Sequence, residues 1–202
     1  MTAKIKLNAA SGGGSVSFQA PSSTGDDRII TLPTTADGTV LTTTNPKAGN
    51  ILQVKHTTKS DYFSTGSTSF TDITNFSVAI TPASSSSKIF IVACVQYSSA
   101  GSGGSRVQFR LVRDSTAIGI GDSNGSNLRV SGGSEATGGG GNMKSATINF
   151  LDSPSTTSAT TYKIQAIAPD GADFRLNRPV NDSTSSTYHQ TASFITVMEV
   201  AG

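Results

Sequence analysis

The amino-acid sequence predicts an all-β protein whose larger part is a two-sheet jelly roll. Val, Ile, Thr and Phe recur in short bursts, and no long amphipathic helix pattern is present. Gly, Pro, Ser and Asn separate the bursts at short intervals, as they do between the strands of a sandwich or barrel. About eight such bursts follow residue 50, and eight is the strand number of a jelly roll.

The strands of the larger part are predicted from alternation of apolar and polar residues. Val107, Phe109 and Leu111 share one face of their segment, and Arg106 and Arg110 lie on the other. The segment KIFIVACV is apolar almost throughout, so it is predicted to be a central strand buried on both faces, with the only cysteine, Cys94, in the core. The predicted strands are 51–58, 76–82, 88–98, 106–114, 116–121, 144–153, 161–169 and 193–201.

The N-terminal part differs from the rest of the chain. Four extended units each hold only two or three apolar residues, and strands this thin cannot bury a core within one chain. We therefore predict that identical chains intertwine there, with a partly ordered linker as the alternative. Turn-forming residues around Pro46 divide the chain into an extended β segment, 1–48, and a head domain, 49–202. The four units are 4–10, 15–21, 27–33 and 38–44.

Composition argues against several classes of partner. The net charge of +2 comes from scattered residues, whereas nucleic-acid binding requires clustered Lys and Arg. No apolar run approaches the roughly 20 residues that span a bilayer, and the first residues lack the apolar stretch of a secretory signal. We therefore expect neither nucleic-acid binding nor membrane insertion.

Catalytic and metal-binding patterns are not found. His56 and His189 are the only histidines, and neither has a second ligand at metal spacing, so each is expected to be solvated or hydrogen-bonded. No G-x-S-x-G motif is present, and no base is placed near a nucleophile. Asp170 and Asp173 surround a predicted β-turn and lack the ligand spacing of a calcium loop. We expect no enzyme activity, no catalytic residues, no cofactor and no metal.

Several phrases of the head domain carry a resemblance. SKIFIVA, LVRDSTAIGIGD, FLDSPSTTSATTYKIQ and the ending ITVMEV, between residues 49 and 201, resemble the C-terminal domains of bacteriophage fibre and virion structural proteins, especially those of marine and cyanobacterial phages. The stretch 15–43 resembles the region upstream of such heads. The resemblance implies a jelly roll like that of the C1q/tumour-necrosis-factor group, a homotrimer and a place on the virion surface.

The function that the resemblance implies is structural and adhesive. The chain would be a trimeric tail fibre or tail-associated appendage that contributes to host attachment. Other virion proteins would hold its N-terminal segment, and a host-surface glycan or protein would be its receptor. A capsid-decorating or head-fibre trimer is the alternative, and a glycan-active enzyme would need a paired acid and base that the sequence lacks.

A trimer must bury apolar surface around its axis, and receptor contacts need exposed anchors. Aromatic residues serve a monomer core and a subunit interface equally well, so five stay open between the two places: Tyr97, Phe109, Phe150, Tyr162 and Phe194. Receptor binding is predicted in the polar loops 98–105, 122–142 and 169–190, with a solvated surface that packs against neighbouring virion proteins as the alternative. Tyr and Arg are frequent at binding hot spots, so the candidate anchors are Phe174, Arg175, Arg178 and Tyr188.

Overall fold

In a computed structural model, the chain divides into two compact units, Met1–Val40 and Leu41–Gly202. The structure describes residues 4–8, 15–19, 47–100, 105–135, 143–181, 186 and 188–202. Within those ranges every regular element is a β-strand, so none of them is a helix that could cross a membrane. The all-β prediction is confirmed for this part of the chain.

The first unit contains a pair of antiparallel strands, β1 (Lys4–Asn8) and β2 (Ser15–Gln19), in which Lys4 lies opposite Gln19. These two strands pair within one chain, and the intertwining of identical chains expected from the sequence stays a prediction. The predicted units 27–33 and 38–44 lie outside the described residues.

The second unit is a sandwich of two antiparallel sheets. One sheet has six strands: β3 (Ile51–Lys59), β4 (Phe63–Thr65), β6 (Lys88–Ala100), β10 (Lys144–Asp152), β12 (Asp173–Leu176) and β13 (Ser193–Val200). The other has five: β5 (Thr71–Ile80), β7 (Arg106–Arg113), β8 (Thr116–Ile118), β9 (Gly132–Glu135) and β11 (Thr160–Ile167). The first and last strands of the unit, β3 and β13, pair side by side.

All eight predicted strands of the head domain are present, and three further strands were missed. β4, β9 and β12 have only three or four residues each, and two of them interrupt stretches that were predicted to be loops. β9 begins with two glycines because it lies very close to β7. A Cβ atom on Gly132 would lie 2.5 Å from Phe109 Cζ, and one on Gly133 would lie 2.6 Å from the Val107 carbonyl oxygen.

Strand β6 is the predicted central strand. It is paired on both sides, since Ile91 lies opposite Phe150 of β10 and opposite Val197 of β13. Its inner face is fully buried, whereas Phe90, Val92 and Cys94 on the outer face are only partly buried in the single chain. The prediction of burial on both faces, with Cys94 in the core, is therefore wrong for the described part of the second unit, because none of its described strands covers the outer face.

The core lies between the two sheets and is centred on three aromatic rings. The Tyr97 ring stacks on Phe174 at 5.9 Å between centroids and meets Phe109 edge-on at 5.3 Å. All three rings are buried, and they come from β6, β12 and β7, so they join the six-stranded sheet to the five-stranded sheet.

A polar junction closes one end of the core. Asp152 at the end of β10 accepts hydrogen bonds from Tyr162 Oη at 2.7 Å and from Arg113 Nη1 at 2.9 Å. Burial and the hydrogen bond to Asp152 raise the pKa of Tyr162, so its hydroxyl stays protonated and remains a donor. The junction ties the six-stranded sheet to β7 and β11.

A second buried junction is built on Asn177, which follows β12. Its backbone has a positive φ of 65°, a conformation that asparagine tolerates better than most residues. The side-chain amide donates to the carbonyl oxygens of Lys59 at 2.8 Å and Asp61 at 3.0 Å, and its oxygen accepts from Ser193 Oγ at 2.7 Å. One side chain therefore connects β3, β12 and β13, and its own N–H donates to the Gln96 carbonyl in β6.

A third buried polar group, Glu199 in β13, fastens the loop between β5 and β6. Its carboxylate accepts hydrogen bonds from Gln53 Nε2 at 2.6 Å and from the Ala83 backbone N–H at 2.7 Å. Burial raises the pKa of Glu199, but these hydrogen bonds outweigh it, so the pKa lies below its ordinary value of 4.5.

Acid is therefore expected to weaken the fold through Glu199. A carboxyl group with a lowered pKa in the folded state stabilises the protein above pH 4.5, and this contribution is lost as the pH falls through the folded-state pKa. In urea unfolding followed at neutral and acid pH, Glu199→Gln should lower the stability at neutral pH and reduce its loss in acid. The matched control is the other glutamate: Glu135 is 59% exposed, so Glu135→Gln should change the stability at neutral pH by less than about 0.5 kcal/mol. Equal losses of stability for both variants would contradict the assignment.

Candidate interaction surface

The outer face of the six-stranded sheet carries a row of apolar side chains across four adjacent strands, β10, β6, β13 and β3. Directly paired residues of antiparallel strands lie on the same face of a sheet. Leu151 lies opposite Phe90, Phe90 opposite Met198, and Met198 opposite Val54, so one row of four apolar side chains crosses the sheet. We call the outward surface of these four strands the apolar face.

The rows through Cys94 and Val92 mix small polar with apolar groups. Cys94 lies opposite both Thr147 and Phe194. His56 packs beside Phe194 at 5.9 Å between ring centroids, and its two nitrogens lie 2.8 and 2.7 Å from the hydroxyls of Thr196 and Thr58. The sequence prediction of a hydrogen-bonded histidine is confirmed for His56, and its position on this face was not predicted.

No described strand of the second unit covers the apolar face. Ile51, Val54 and Leu151 expose 58%, 54% and 56% of their surfaces. No carboxylate lies in its paired rows, and the lysine at its rim, Lys88, donates to Ser153 Oγ at 2.9 Å. Depletion of charge around exposed apolar side chains is the composition of an interface core.

The outer face of the five-stranded sheet has the opposite character. Asp72 accepts hydrogen bonds from Lys163 Nζ and Gln165 Nε2, each at 2.7 Å, and Gln165 Oε1 accepts from Arg110 Nε at 2.9 Å. The hydrogen bond from Lys163 lowers the pKa of Asp72 despite its partial burial. The Arg110 guanidinium lies over the Phe70 ring at 3.7 Å. Such a connected polar surface is suited to water, so the two sides of the sandwich differ in what they can contact.

The five aromatic residues left open by the sequence are divided between core and surface. Tyr97, Phe109 and Tyr162 are buried in the core, and Phe150 is partly buried against it. Phe194 lies in the apolar face. Phe194 is therefore the member of this set that lies on the outer side of the sheet.

Of the four predicted receptor anchors, one lies in the core and three lie outside it. Phe174 is fully buried between Tyr97 and Phe109, so its ring is not available at the surface, and this part of the prediction is corrected. The Arg175 guanidinium is held by a hydrogen bond to the segment that follows its own strand, since its Nη1 donates to the Val180 carbonyl at 2.8 Å. Arg178 lies over the Tyr62 ring at 5.2 Å, and Tyr188 is half-buried. A receptor role for Arg175, Arg178 and Tyr188 stays a prediction.

Among the residues that the structure describes, no three His, Cys, Asp or Glu side chains lie together as metal ligands would. His189 is exposed. The expected absence of catalysis remains a prediction.

Comparisons with known proteins give no family. No family model matches the chain, and no curated protein matches it. Solved structures of infectious bursal disease virus are similar over 96% of this chain at 15% identity and a TM-score of 0.36, in the Gx strain and in a mutant VP2 from T=1 particles. A VP2 subviral particle is similar over 93% at 16% identity and a TM-score of 0.37. This chain covers 46%, 44% and 47% of those chains, and likeness at this level establishes neither family nor function.

Proposed function

We propose that this chain is a bacteriophage virion structural protein that assembles as a homotrimer through its apolar face. In this role it forms a fibre or tail-associated appendage on the virion surface and contributes to host attachment. The apolar face is the observation that carries the proposal, because a solitary domain rarely leaves such a surface in water. Two packed antiparallel sheets are the architecture of a jelly roll, and the C1q/tumour-necrosis-factor type is proposed from the resemblance.

The size of the apolar face suits a stable contact between copies. Four strands lie about 4.8 Å apart, and the nine pairs of β10 with β6 rise about 3.3 Å per residue, so the face measures roughly 19 by 30 Å in projection. The relief of the side chains raises the accessible area above this projection of roughly 570 Å². Stable interfaces bury about 800 Å² of accessible surface per partner, so this face supplies most of what one contact needs.

The remaining partners are proposed from the resemblance. The segment 1–48 attaches the trimer to other virion proteins, and the loops of the head domain carry the contacts to the host. A capsid-decorating trimer would use the same apolar face. Cryo-electron microscopy of whole particles distinguishes the two, because a decorating protein repeats over the shell and an appendage does not.

A charge placed in the apolar face should separate the copies. The wild-type chain of 20.7 kDa is expected to have a mass of about 62 kDa by light scattering, which is three copies. Leu151→Asp should weaken assembly by on the order of a hundredfold, because a carboxylate would be buried without a partner. Ala79→Asp is the matched control, since Ala79 is exposed on the polar outer face of β5 and should not affect the mass.

The only cysteine provides an independent readout of the same contact. Cys94 lies in the apolar face and is half-buried in one chain, so a thiol reagent should modify it slowly in the assembled protein and quickly after Leu151→Asp. A wild-type chain that stays monomeric at high concentration and reacts as quickly as the variant would overturn the proposal.

A further inference from the structure

A groove lies on the opposite side of the sandwich from the apolar face, where β7 and β9 meet the loop 121–131 and the turn 169–171. It consists of two adjoining cavities of about 350 and 490 Å³, and Arg106 and Gln108 line both of them. Cavities of a few hundred Å³ have the size of small-molecule sites. Because the two sheets face opposite ways, the groove stays open when the apolar face is covered.

Charged side chains of the groove hold one another in place. Arg106 Nε lies 3.3 Å from Glu135 Oε1, and Arg106 Nη1 lies 3.4 Å from Asp170 Oδ2, which also accepts from the Arg106 backbone N–H at 3.0 Å. The three side chains are about half exposed, at 51%, 59% and 41%. A guanidinium has five N–H donors and a carboxylate about four acceptor positions, so each group can still bind a ligand beyond these bonds.

Two further lining atoms are short of hydrogen bonds. Gln108 Oε1 and Ser134 Oγ are buried and have no partner among the described residues. A buried acceptor without a partner costs free energy, and a ligand hydroxyl that reached either atom would remove that cost. An unpaired amide oxygen and an unpaired hydroxyl are suited to a ligand that carries both hydrogen-bond donors and acceptors, as hydroxyl groups do.

The charge balance of the groove selects against anions. Two carboxylates, Glu135 and Asp170, face one guanidinium, so its positive charge is already offset. The cavity also offers the Asn127 amide for paired hydroxyls and an apolar surface from Leu128, which is 42% exposed, and Pro169. Hydroxyl-binding polar groups beside a small apolar surface fit the two sides of an uncharged sugar ring.

We propose that this groove binds uncharged sugar units of a host-surface polysaccharide. The inference gives a ligand class and a location to the attachment role proposed above, and it rests on that role. The site lies in two of the loop regions where the sequence predicted receptor contacts, but it uses residues other than the predicted anchors.

The test is binding of the purified full chain to an array that holds neutral polysaccharides (glucans, galactans, mannans and N-acetylhexosamine polymers) and acidic ones that carry uronate or sulfate. We expect binding to at least one neutral class, followed by calorimetry with its oligosaccharide. Asn127→Ala should raise the Kd about tenfold, the effect of losing one or two hydrogen bonds. Asn124→Ala is the matched control, since Asn124 is exposed in the same loop and does not line the groove.

Three outcomes would overturn the site: no binding to any neutral class, binding to acidic polysaccharides alone, or equal effects of Asn127→Ala and Asn124→Ala. Failure of the sugar-binding proposal can be distinguished from failure of the assembly proposal. Asn127→Ala should leave the mass of the assembled protein unchanged, and Leu151→Asp should change the mass while each chain still binds the sugar.

Discussion

Replacement of Asn177 by aspartate is expected to lower the free energy of unfolding by about 4 kcal/mol, because it reverses two buried hydrogen bonds. The amide of Asn177 donates to the carbonyl oxygens of Lys59 and Asp61, and a carboxylate would place a third oxygen against these two. The side chain is 1% exposed, so water cannot relieve the repulsion. Equilibrium unfolding in urea measures the change.

The chain offers a close control for this substitution. Asn75 also has a positive φ, 57°, but it is exposed at the irregular part of β5. Asn75→Asp makes the same chemical change with the same backbone requirement, and it should alter the stability by less than about 0.5 kcal/mol. If both substitutions cost the same, the buried hydrogen bonds of Asn177 do not hold the strands as described.

Loss of the carboxylate at Asp152 should lower the free energy of unfolding by a similar amount. Asp152→Ala leaves the fully buried Tyr162 hydroxyl without its acceptor and removes the carboxylate that faces Arg113. Breaking a buried charged pair costs about 3–5 kcal/mol, and the partial exposure of Arg113 places this case near 3 kcal/mol. Thermal and urea unfolding should both show the loss, with the two sheets separating at a lower denaturant concentration.

Two variants show whether the junction acts as a unit. Tyr162→Phe removes one hydrogen bond but keeps the ion pair, so it should cost about 1–2 kcal/mol. Asp122→Ala removes an exposed carboxylate outside the junction and should be nearly neutral. An Asp152→Ala variant as stable as Asp122→Ala would show that Asp152 does not join the sheets.

The strand pattern of the head domain could be predicted because it is a local property. Alternation places Val107, Phe109 and Leu111 on one side of β7 whatever they pack against, and all three are buried. Short strands are different. β9 has the sequence GGSE, and no local pattern distinguishes it from a loop, because its strand conformation depends on the backbone of β7 that it lies against.

The candidate site could be predicted only in part. The polar loops predicted for host contact include Asn127 and Asp170 of the groove, but the anchors predicted within them did not include either residue. Phe174 lies in the stretch 169–190 that the sequence predicts to be an exposed loop, and its burial depends on Tyr97 and Phe109 from distant strands. A sequence window cannot contain that information.

By itself, the sequence determined that this protein is built of strands, where most of them run and which side of each is apolar, because side-chain alternation is set by the two-residue repeat of extended backbone. Only the tertiary structure decided which apolar sides are covered. The packing of one sheet on the other buries the inner side of β6 and leaves Phe90, Val92 and Leu151 on the outer side of their sheet, since a sandwich of two layers has two inner faces and two outer ones. That division separates core from apolar face, and it arises from contacts between strands far apart in the chain.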